Sequence, residues 1–207
     1  MQEYFYDHKS VLSLYEQMEK TLKRHRYIHS VGVAGTAACL AMKYGEDVYK
    51  AQIAGILHDC AKTYDDSELV KLCRKNGIEV STFEEEHGFL LHAKYGAFLA
   101  AEKYGIRDTG ILNAIKWHTT GHEDMSLLEK IVFISDYIEP TRSKAPNLSS
   151  IRDKAFNGAD INEALVMIMG DTIHYLKNTS ESIDTTTMDA YRYYKKCVKK
   201  GTFNESI

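Results

Sequence analysis

The segment RYIHSVGVAGTAACLAMKYGEDVYKAQIAGILHDCAK, residues 26–62, decides how this chain folds. Its apolar and small residues recur at helical spacing, and the alternation typical of a strand is absent. The spacing predicts a helix over 26–43 that stops near Gly45, a residue suited to the end of a helix. Asp47 can cap a second helix, which is expected to end around Cys60. The segment therefore predicts two consecutive helices joined by a short turn.

The same helical spacing continues through most of the chain, which predicts an all-α protein. Further helices are expected after Ser10, from Asp66 to Gly77, from Leu90 to Gly105, from Asp108 to Trp117, from the capping box of Ser126 and Glu129 through Asp136, from the box-like start at Asp160 and Glu163 to Lys177, and from Asp184 to Lys199. The stretch EPTRSKAPNLSS, residues 139–150, holds both prolines and is expected to be a linker.

The composition suits a globular protein, with 44% hydrophobic and 27% charged residues in a chain of 207. A net charge of −3 provides no general basic field, so nucleic acid is not an expected partner. The four cysteines form no C-x-x-C pair, which argues against a zinc knuckle and fits a reduced, cytoplasmic compartment. The N-terminus lacks the apolar region of a secretory signal, and no apolar run is long enough to span a membrane.

The adjacent pair His58 and Asp59 closes the second predicted helix. Adjacent residues of a regular helix point about 100° apart, so both can meet one ion only where the helix distorts or ends. An Asp directly after the apolar run GILH is costly to bury without a partner, and a cation would satisfy it. Taken alone, the pair is more typical of a helix-terminal His beside a solvated Asp.

Two distant residues strengthen the case for a metal. His29 lies near the start of a helix among small and apolar residues, and Asp136 lies in the apolar run KIVFISDYIEP. Alone, each is more typical of a satisfied core histidine or of a local hydrogen bond. Together with His58 and Asp59, they favour one shared cause. Mixed imidazole and carboxylate ligands suit zinc, iron, manganese or nickel.

The ordered set His29, His58-Asp59 and Asp136 resembles the H…HD…D signature of the HD superfamily of metal-dependent phosphohydrolases. Longer stretches, above all AIKWHTTGHEDMSLLEKIVFISDYIEPTR over residues 114–142, resemble one subfamily. These are the YqeK-type symmetrical bis(5′-nucleosyl)-tetraphosphatases of bacteria. The resemblance covers roughly residues 20 to 195.

This resemblance implies a single all-α HD-domain helical bundle over 1–207, with a core over about 20–140 and a C-terminal helical extension over about 147–200. It implies four metal ligands, namely His29, His58, Asp59 and Asp136. It also implies a transition metal, for which iron is the first expectation, and leaves room for a second ion. The expected reaction is symmetrical hydrolysis of diadenosine tetraphosphate, or of a related dinucleoside polyphosphate, to two nucleoside diphosphates.

Asp59 and Lys62 are the expected catalytic residues. The side chains expected to contact substrate are Arg26, Lys62, His92, His118, Thr119, Arg142, Thr172 and Tyr175. His92 and His118 could instead ligate the second metal. A surface lysine is the alternative for Lys62, but its place after His58-Asp59 favours a functional role. Arg26 equally suits a solvated helix start, and the alternatives for Arg142 and Thr119 are a solvated loop and a polar turn. His87, in an acidic stretch, is expected to be solvated.

Other functions remain open at this point. A nucleotide phosphatase or a guanosine tetraphosphate hydrolase would use the same ligands. A di-iron oxygenase would need His92 and His118 as metal ligands, and a non-catalytic nucleotide-sensing module would usually lack part of the set. Aromatic residues near the C-terminus would allow a homodimer.

Overall fold

The computed structural model describes residues 6–179 and 182–204, with side chains described as far as residue 198. Within these residues the protein is built of α-helices and one short 3₁₀ helix (Gly88–Leu90), without a β-strand, as predicted. The α-helices are α1 (His8–Thr21), α2 (Arg24–Tyr44), α3 (Val48–Leu57), α4 (Asp66–Lys75), α5 (Thr82–Glu86), α6 (Leu91–Glu102), α7 (Thr109–Trp117), α8 (Leu127–Ile138), α9 (Leu148–Asn157), α10 (Ile161–Asn178) and α11 (Thr185–Asn204). No helix in these ranges combines the length and the apolarity needed to cross a bilayer.

Short polar side chains and glycines set the helix boundaries where the sequence predicted them. The Asp47 carboxylate accepts a hydrogen bond from the Lys50 amide at 3.0 Å at the start of α3. Ser126 and Glu129 form the reciprocal capping box that opens α8. Gly45 ends α2 with a φ of 78°, a left-handed conformation that only glycine adopts readily.

Helices α2 and α3 cross at very short range. A Cβ added at Gly55 would lie 2.7 Å from the Cα of Ala34, so the two backbones touch at this point. Both residues are fully buried, and small buried residues continue along the crossing. This contact fixes the end of α3 relative to α2, and it lies only three residues before His58.

The C-terminal helices lie against α8, which carries Asp136. Helix α10 packs against α8, α9 and α11, and its Leu165 and Met169 are fully buried. The Tyr194 hydroxyl of α11 accepts a hydrogen bond from the Met125 amide at 2.5 Å, just before α8 begins. The extension therefore supports α8 from outside.

Three expectations were wrong in detail. Helix α1 starts at His8, because Asp7 rather than Ser10 caps it. The expected linker over 139–150 ends in helix α9, which the sequence analysis missed and which buries Leu148, Ile151 and Ala155 at helical spacing. At the start of α10 the Asp160 side chain accepts from the Asn162 amide, and Glu163 pairs with Lys154 at 2.6 Å instead of completing a box.

Candidate metal centre

The end of α3 brings two adjacent side chains to one point. The helix ends at Leu57, earlier than the predicted Cys60, and the chain then passes through turns. Because regular helix geometry stops there, the side chains of His58 and Asp59 no longer have to point about 100° apart. Both are buried, with exposed fractions of 0% and 3%. The distortion that the sequence required is present.

His29 of α2 and Asp136 of α8 meet this pair. His29 Nε2 lies 2.9 Å from Asp136 Oδ1. His58 Nε2 lies 3.7 Å from Asp136 Oδ1 and 3.7 Å from Asp59 Oδ2. We call these four residues the first ligand group. All four side chains predicted as ligands therefore converge, although they come from three separate parts of the chain.

A second ligand group shares Asp59 with the first and adds His92 of α6 and His118 at the end of α7. Asp59 Oδ1 lies 3.3 Å from His92 Nε2 and 3.8 Å from His118 Nε2. The two Nε2 atoms are 3.1 Å apart. One carboxylate therefore turns its Oδ2 to the first group and its Oδ1 to the second.

Backbone carbonyls orient three of the four histidines. The Nδ1 atoms of His58, His92 and His118 lie 2.7, 2.5 and 2.7 Å from the carbonyl oxygens of Gly55, Phe89 and Ile115. A carbonyl only accepts, so each Nδ1 carries the proton and donates. Each Nε2 therefore points its lone pair into the centre, which is the tautomer needed by a metal ligand.

His29 is oriented by a side chain instead, and sequence analysis missed that side chain. Glu139, fully buried just past α8, lies 3.0 Å from His29 Nδ1 and also accepts from Thr141. A Cβ at Gly32 would lie 2.4 Å from Glu139 Oε2, so any other residue there would have to displace this carboxylate. The available signal was an acidic residue three positions after Asp136 in an apolar helix, the spacing of one helical face.

These contacts fit a bound cation. The Nε2 atom of His29 is buried against the Asp136 carboxylate at 2.9 Å, and that of His58 is buried without a hydrogen-bond partner in the part of the chain that is described. Such atoms are rarely left unsatisfied. Between His92 and His118, two lone pairs face each other across 3.1 Å. Positive charge placed among these donors would satisfy them, and mixed nitrogen and oxygen ligands suit a transition metal.

The surroundings keep three of the ligands, namely Asp59, Asp136 and His118, in the protonation states that bind metal. Burial alone would raise the pKa of both carboxylates, but the facing imidazoles hold the pKa of Asp59 and that of Asp136 well below their usual range. Burial lowers the pKa of His118 to about 3, assisted by His58 and His92. Both carboxylates are therefore ionised, and His118 is neutral, at neutral pH. Burial opposes the charged form of His29, but the carboxylates of Asp136 and Glu139 outweigh burial and raise the pKa of that imidazole.

Three predicted cations border the first ligand group. Arg26 Nη1 lies 3.1 Å from Asp59 Oδ2, and Arg142 Nη2 lies 2.9 Å from Asp136 Oδ1. Arg142 also donates from Nε to the Asp136 carbonyl, so two nitrogens of its guanidinium contact Asp136 and the side chain does not extend into solvent. Lys62 is partly buried, and burial lowers its pKa while Asp59 raises it in part. The side of the centre near Asp136 is thus positively charged.

The remaining predicted contacts line two pockets beside the centre. Thr119 Oγ1 lies 3.2 Å from His118 Nε2 and faces the second ligand group. Thr172 and Tyr175 line a pocket of about 660 Å³ together with Arg142. Thr172 and Thr119 also line a smaller pocket of about 150 Å³. All eight residues predicted to contact substrate therefore lie in the centre or in these pockets.

Comparison with known proteins agrees with this geometry. The family model described as "HD domain" matches residues 26–141. The chain is 41% identical to a protein of Halalkalibacterium halodurans named bis(5′-nucleosyl)-tetraphosphatase, symmetrical, with 82% of this chain and 89% of that protein covered. A protein of Bacillus subtilis with the same name is 35% identical, over 85% of this chain and 92% of that protein.

A solved structure extends the comparison to the fold. It is described as a predicted HD superfamily hydrolase involved in NAD metabolism, from Clostridium acetobutylicum. It is 36% identical and superposes with a TM-score of 0.85, covering 93% of this chain and 99% of that one. The family model spans more than half of the chain and contains the whole first ligand group. The chain therefore belongs to the HD-domain family.

Proposed function

We propose that this protein hydrolyses diadenosine tetraphosphate, or a related dinucleoside tetraphosphate, symmetrically to two nucleoside diphosphates. The observation that carries the proposal is the sharing of Asp59 between two imidazole-rich ligand groups. Relatives that align over most of their length bear the corresponding name. A buried centre with cations on one side suits a substrate whose reacting part is a chain of phosphates.

The first ligand group would hold a transition metal, and we propose iron as that metal. The second group, with Asp59 as a bridge, would hold a second ion. Four imidazoles and two carboxylates form a mixed donor set that iron accepts. When bound, such ions supply Lewis-acid chemistry, lowering the pKa of water and neutralising phosphate charge. Metal analysis of protein purified without added metal identifies the ion.

The chain's own residues bind and position the phosphates. In the proposed reaction the oxygen of water bonds to a phosphorus beside the central bridging oxygen, and the bond from that phosphorus to the bridge breaks. Water loses one proton to the solvent, and the bridging oxygen keeps the electron pair of the broken bond and leaves as part of the second nucleoside diphosphate. Lys62, Arg26 and Arg142 stabilise the charge that develops on the phosphate oxygens. Asp59 orients the attacking water.

The positions of the cations match this role. Arg26 and Arg142 are 40% and 45% exposed at their side chains, so each can reach a phosphate while it stays next to a ligand carboxylate. A planar guanidinium can donate to a carboxylate and a phosphate at once. Lys62 is less exposed, and burial shifts its pKa down. A polyphosphate would restore the charge balance around it.

Product analysis tests the proposal. Metal-loaded protein should convert diadenosine tetraphosphate to adenosine diphosphate alone, as measured by chromatography, and a chelator should stop the reaction. Formation of adenosine triphosphate with monophosphate would refute symmetrical cleavage. Faster turnover of a nucleoside monophosphate or of guanosine tetraphosphate would assign the centre to those substrates instead.

Removing one phosphate-binding cation gives a finer test. Lys62→Met should lower kcat/KM by about 100-fold, the usual cost of one charged stabilising group in an active site. Metal content should be unchanged. Lys71→Met is the matched control, because Lys71 lies exposed on α4. Equal activity of the two variants would remove Lys62 from the reaction.

We also propose a cytoplasmic homodimer. The support for the location is that all four cysteines are free, which suits a reducing compartment. The support for the dimer is that Tyr191 and Tyr193 of α11 keep part of their rings exposed. Light scattering of the metal-loaded protein measures the assembly, and a monomer at micromolar concentration would refute the dimer.

A further inference from the structure

Two pockets lie beside the metal centre, one next to each ligand group. The first, which we call the Arg142 pocket, lies between the end of α8 and α10 and has a volume of about 660 Å³. Arg142 lines it and reaches the first ligand group through Asp136 at 2.9 Å. Tyr175 borders it with 60% of its surface exposed, and no side chain in the described structure covers its ring.

The chemistry of the Arg142 pocket suits a ribose and its phosphate. Arg142 and Lys144 supply positive charge, and Asp171 is the acidic residue among the lining side chains. Asp171 Oδ1 accepts from the Asn147 amide at 2.9 Å. Its Oδ2 is buried and makes no hydrogen bond within the described ranges. Burial and the nearby Asp171 carboxylate together raise the pKa of the Tyr137 phenol to about 12. A free carboxylate oxygen is a common acceptor for ribose hydroxyls.

The second pocket, which we call the aromatic pocket, reaches the other ligand group. Thr119 lines it and lies 3.2 Å from His118 Nε2. The rings of Phe83 and His87 are stacked, with centroids 4.2 Å apart and planes within 11°. His87 is thus partly buried rather than solvated as expected, and Phe89 stands beside it with 44% of its surface exposed. An adjoining hollow of about 220 Å³ shares Phe83 and Thr119.

The two pockets meet at one residue. Thr172 of α10 lines both of them, and no other side chain does so among the residues that border the two pockets. The Arg142 pocket touches the first ligand group and the aromatic pocket touches the second. A molecule that filled both would therefore lie next to both ligand groups.

We propose that each pocket takes one nucleoside half of a dinucleoside tetraphosphate, with the tetraphosphate lying over Asp59 between them. This inference rests on the function proposed above and adds where the two halves bind. The base in the aromatic pocket stacks beside Phe89, and the base in the Arg142 pocket stacks on Tyr175. The central bridge then lies between the two ligand groups, which makes cleavage symmetrical.

Binding of the product tests the proposal without relying on turnover. Metal-loaded protein titrated with adenosine diphosphate should bind two equivalents per chain, measured by calorimetry. Phe89→Ala and Tyr175→Ala should each leave one equivalent, and each should raise the KM for diadenosine tetraphosphate about tenfold. Tyr49→Ala is the control, since Tyr49 is 39% exposed on α3 away from both pockets.

The outcomes separate this inference from the proposed function. One equivalent bound by the wild type, or two bound by both variants, would overturn the two-pocket assignment even if hydrolysis is symmetrical. Two equivalents bound by a wild type that cannot cleave the dinucleotide would overturn the function and keep the pockets. Metal content is measured for Phe89→Ala, because the Phe89 carbonyl orients His92; a variant that has lost metal is replaced by Phe83→Ala.

Discussion

Three histidines of the centre are oriented by their own helices, whereas the fourth is oriented by a distant part of the chain. His58, His92 and His118 each donate to a carbonyl three residues earlier. His29 instead donates to Glu139, which lies 110 positions away. The first arrangement forms as soon as a helix end forms. The second exists only after α8 has docked against α2.

The difference means that the first ligand group depends on tertiary structure more than the second does. Local hydrogen bonds survive small movements between helices, because donor and acceptor move together. The contact between His29 and Glu139 does not. We therefore expect mutations near Glu139 to weaken the metal site while leaving the second group oriented, and the following variants test this contrast in order of expected effect.

Asp59→Asn should have the largest effect, because it removes the one residue common to both groups. An amide lacks the charge that both groups share and can present only one oxygen to them. We expect the loss of bound metal and of hydrolysis together, measured by elemental analysis and product chromatography. Asp65→Asn is the matched control, an exposed helix cap without a side-chain hydrogen bond. Full activity of Asp59→Asn would refute the shared carboxylate.

Glu139→Gln should weaken metal binding by about 10- to 100-fold, the usual cost of losing a charged partner behind a metal-ligating histidine. The neutral amide cannot hold the Nδ1 proton as strongly as the carboxylate does. Competition with a chelator measures the affinity. Glu163→Gln, which removes an exposed pairing with Lys154, is the control. If both variants bind metal like the wild type, His29 needs no partner.

Gly32→Ala should displace Glu139 without altering any charge, because the new methyl group would lie 2.4 Å from Oε2. We expect metal affinity to fall by about tenfold. The loss should be smaller than in Glu139→Gln, because in Gly32→Ala the Glu139 carboxylate remains and can shift and still accept the hydrogen bond. Gly35 lies one turn later, and a Cβ added there would meet nothing within 4 Å in the described part of the chain. Gly35→Ala is therefore the matched control. That control should keep its affinity and gain about 0.5–1 kcal/mol of helix stability.

Thr119→Val should have the smallest effect, because it removes a hydroxyl from the group whose histidines are oriented locally. Thr119 Oγ1 lies near both His92 and His118, but their Nδ1 contacts do not involve it. We expect metal affinity within about threefold of the wild type, because these contacts of 3.4 and 3.2 Å are long. A neutral hydrogen bond at the low end of its range contributes about 0.5 kcal/mol. A loss as large as that of Glu139→Gln would erase the contrast between the two groups.

Local sequence signals predicted most of the fold and pointed to the four residues that converge at the candidate metal centre. The helix ends at Gly45, Asp47 and the box of Ser126 and Glu129 depend on residues a few positions apart, so sequence can identify them. His29 and Asp136 were found because a polar residue in an apolar run needs a partner. In each case the signal comes from residues within a single helix or directly next to it.

Long-range contacts explain what the sequence did not predict. Glu139 was passed over because its role depends on His29, which no local pattern connects to it. Helix α9 was read as a linker because prolines dominate the stretch before it, although Leu148 and Ile151 bury one face against its neighbours. The two pockets were also hidden, since Thr172 joins them only when α10 is packed.

The close approach of Gly55 to Ala34 has a consequence for how this enzyme can evolve. Neither position carries a functional group, yet any side chain at Gly55 would push apart the two helices that present His29 and His58, because its Cβ would lie 2.7 Å from the Cα of Ala34. Thermal tolerance and turnover therefore cannot be adjusted separately at these two sites. An evolutionary change that enlarges the side chain at this contact would also move His29 relative to His58.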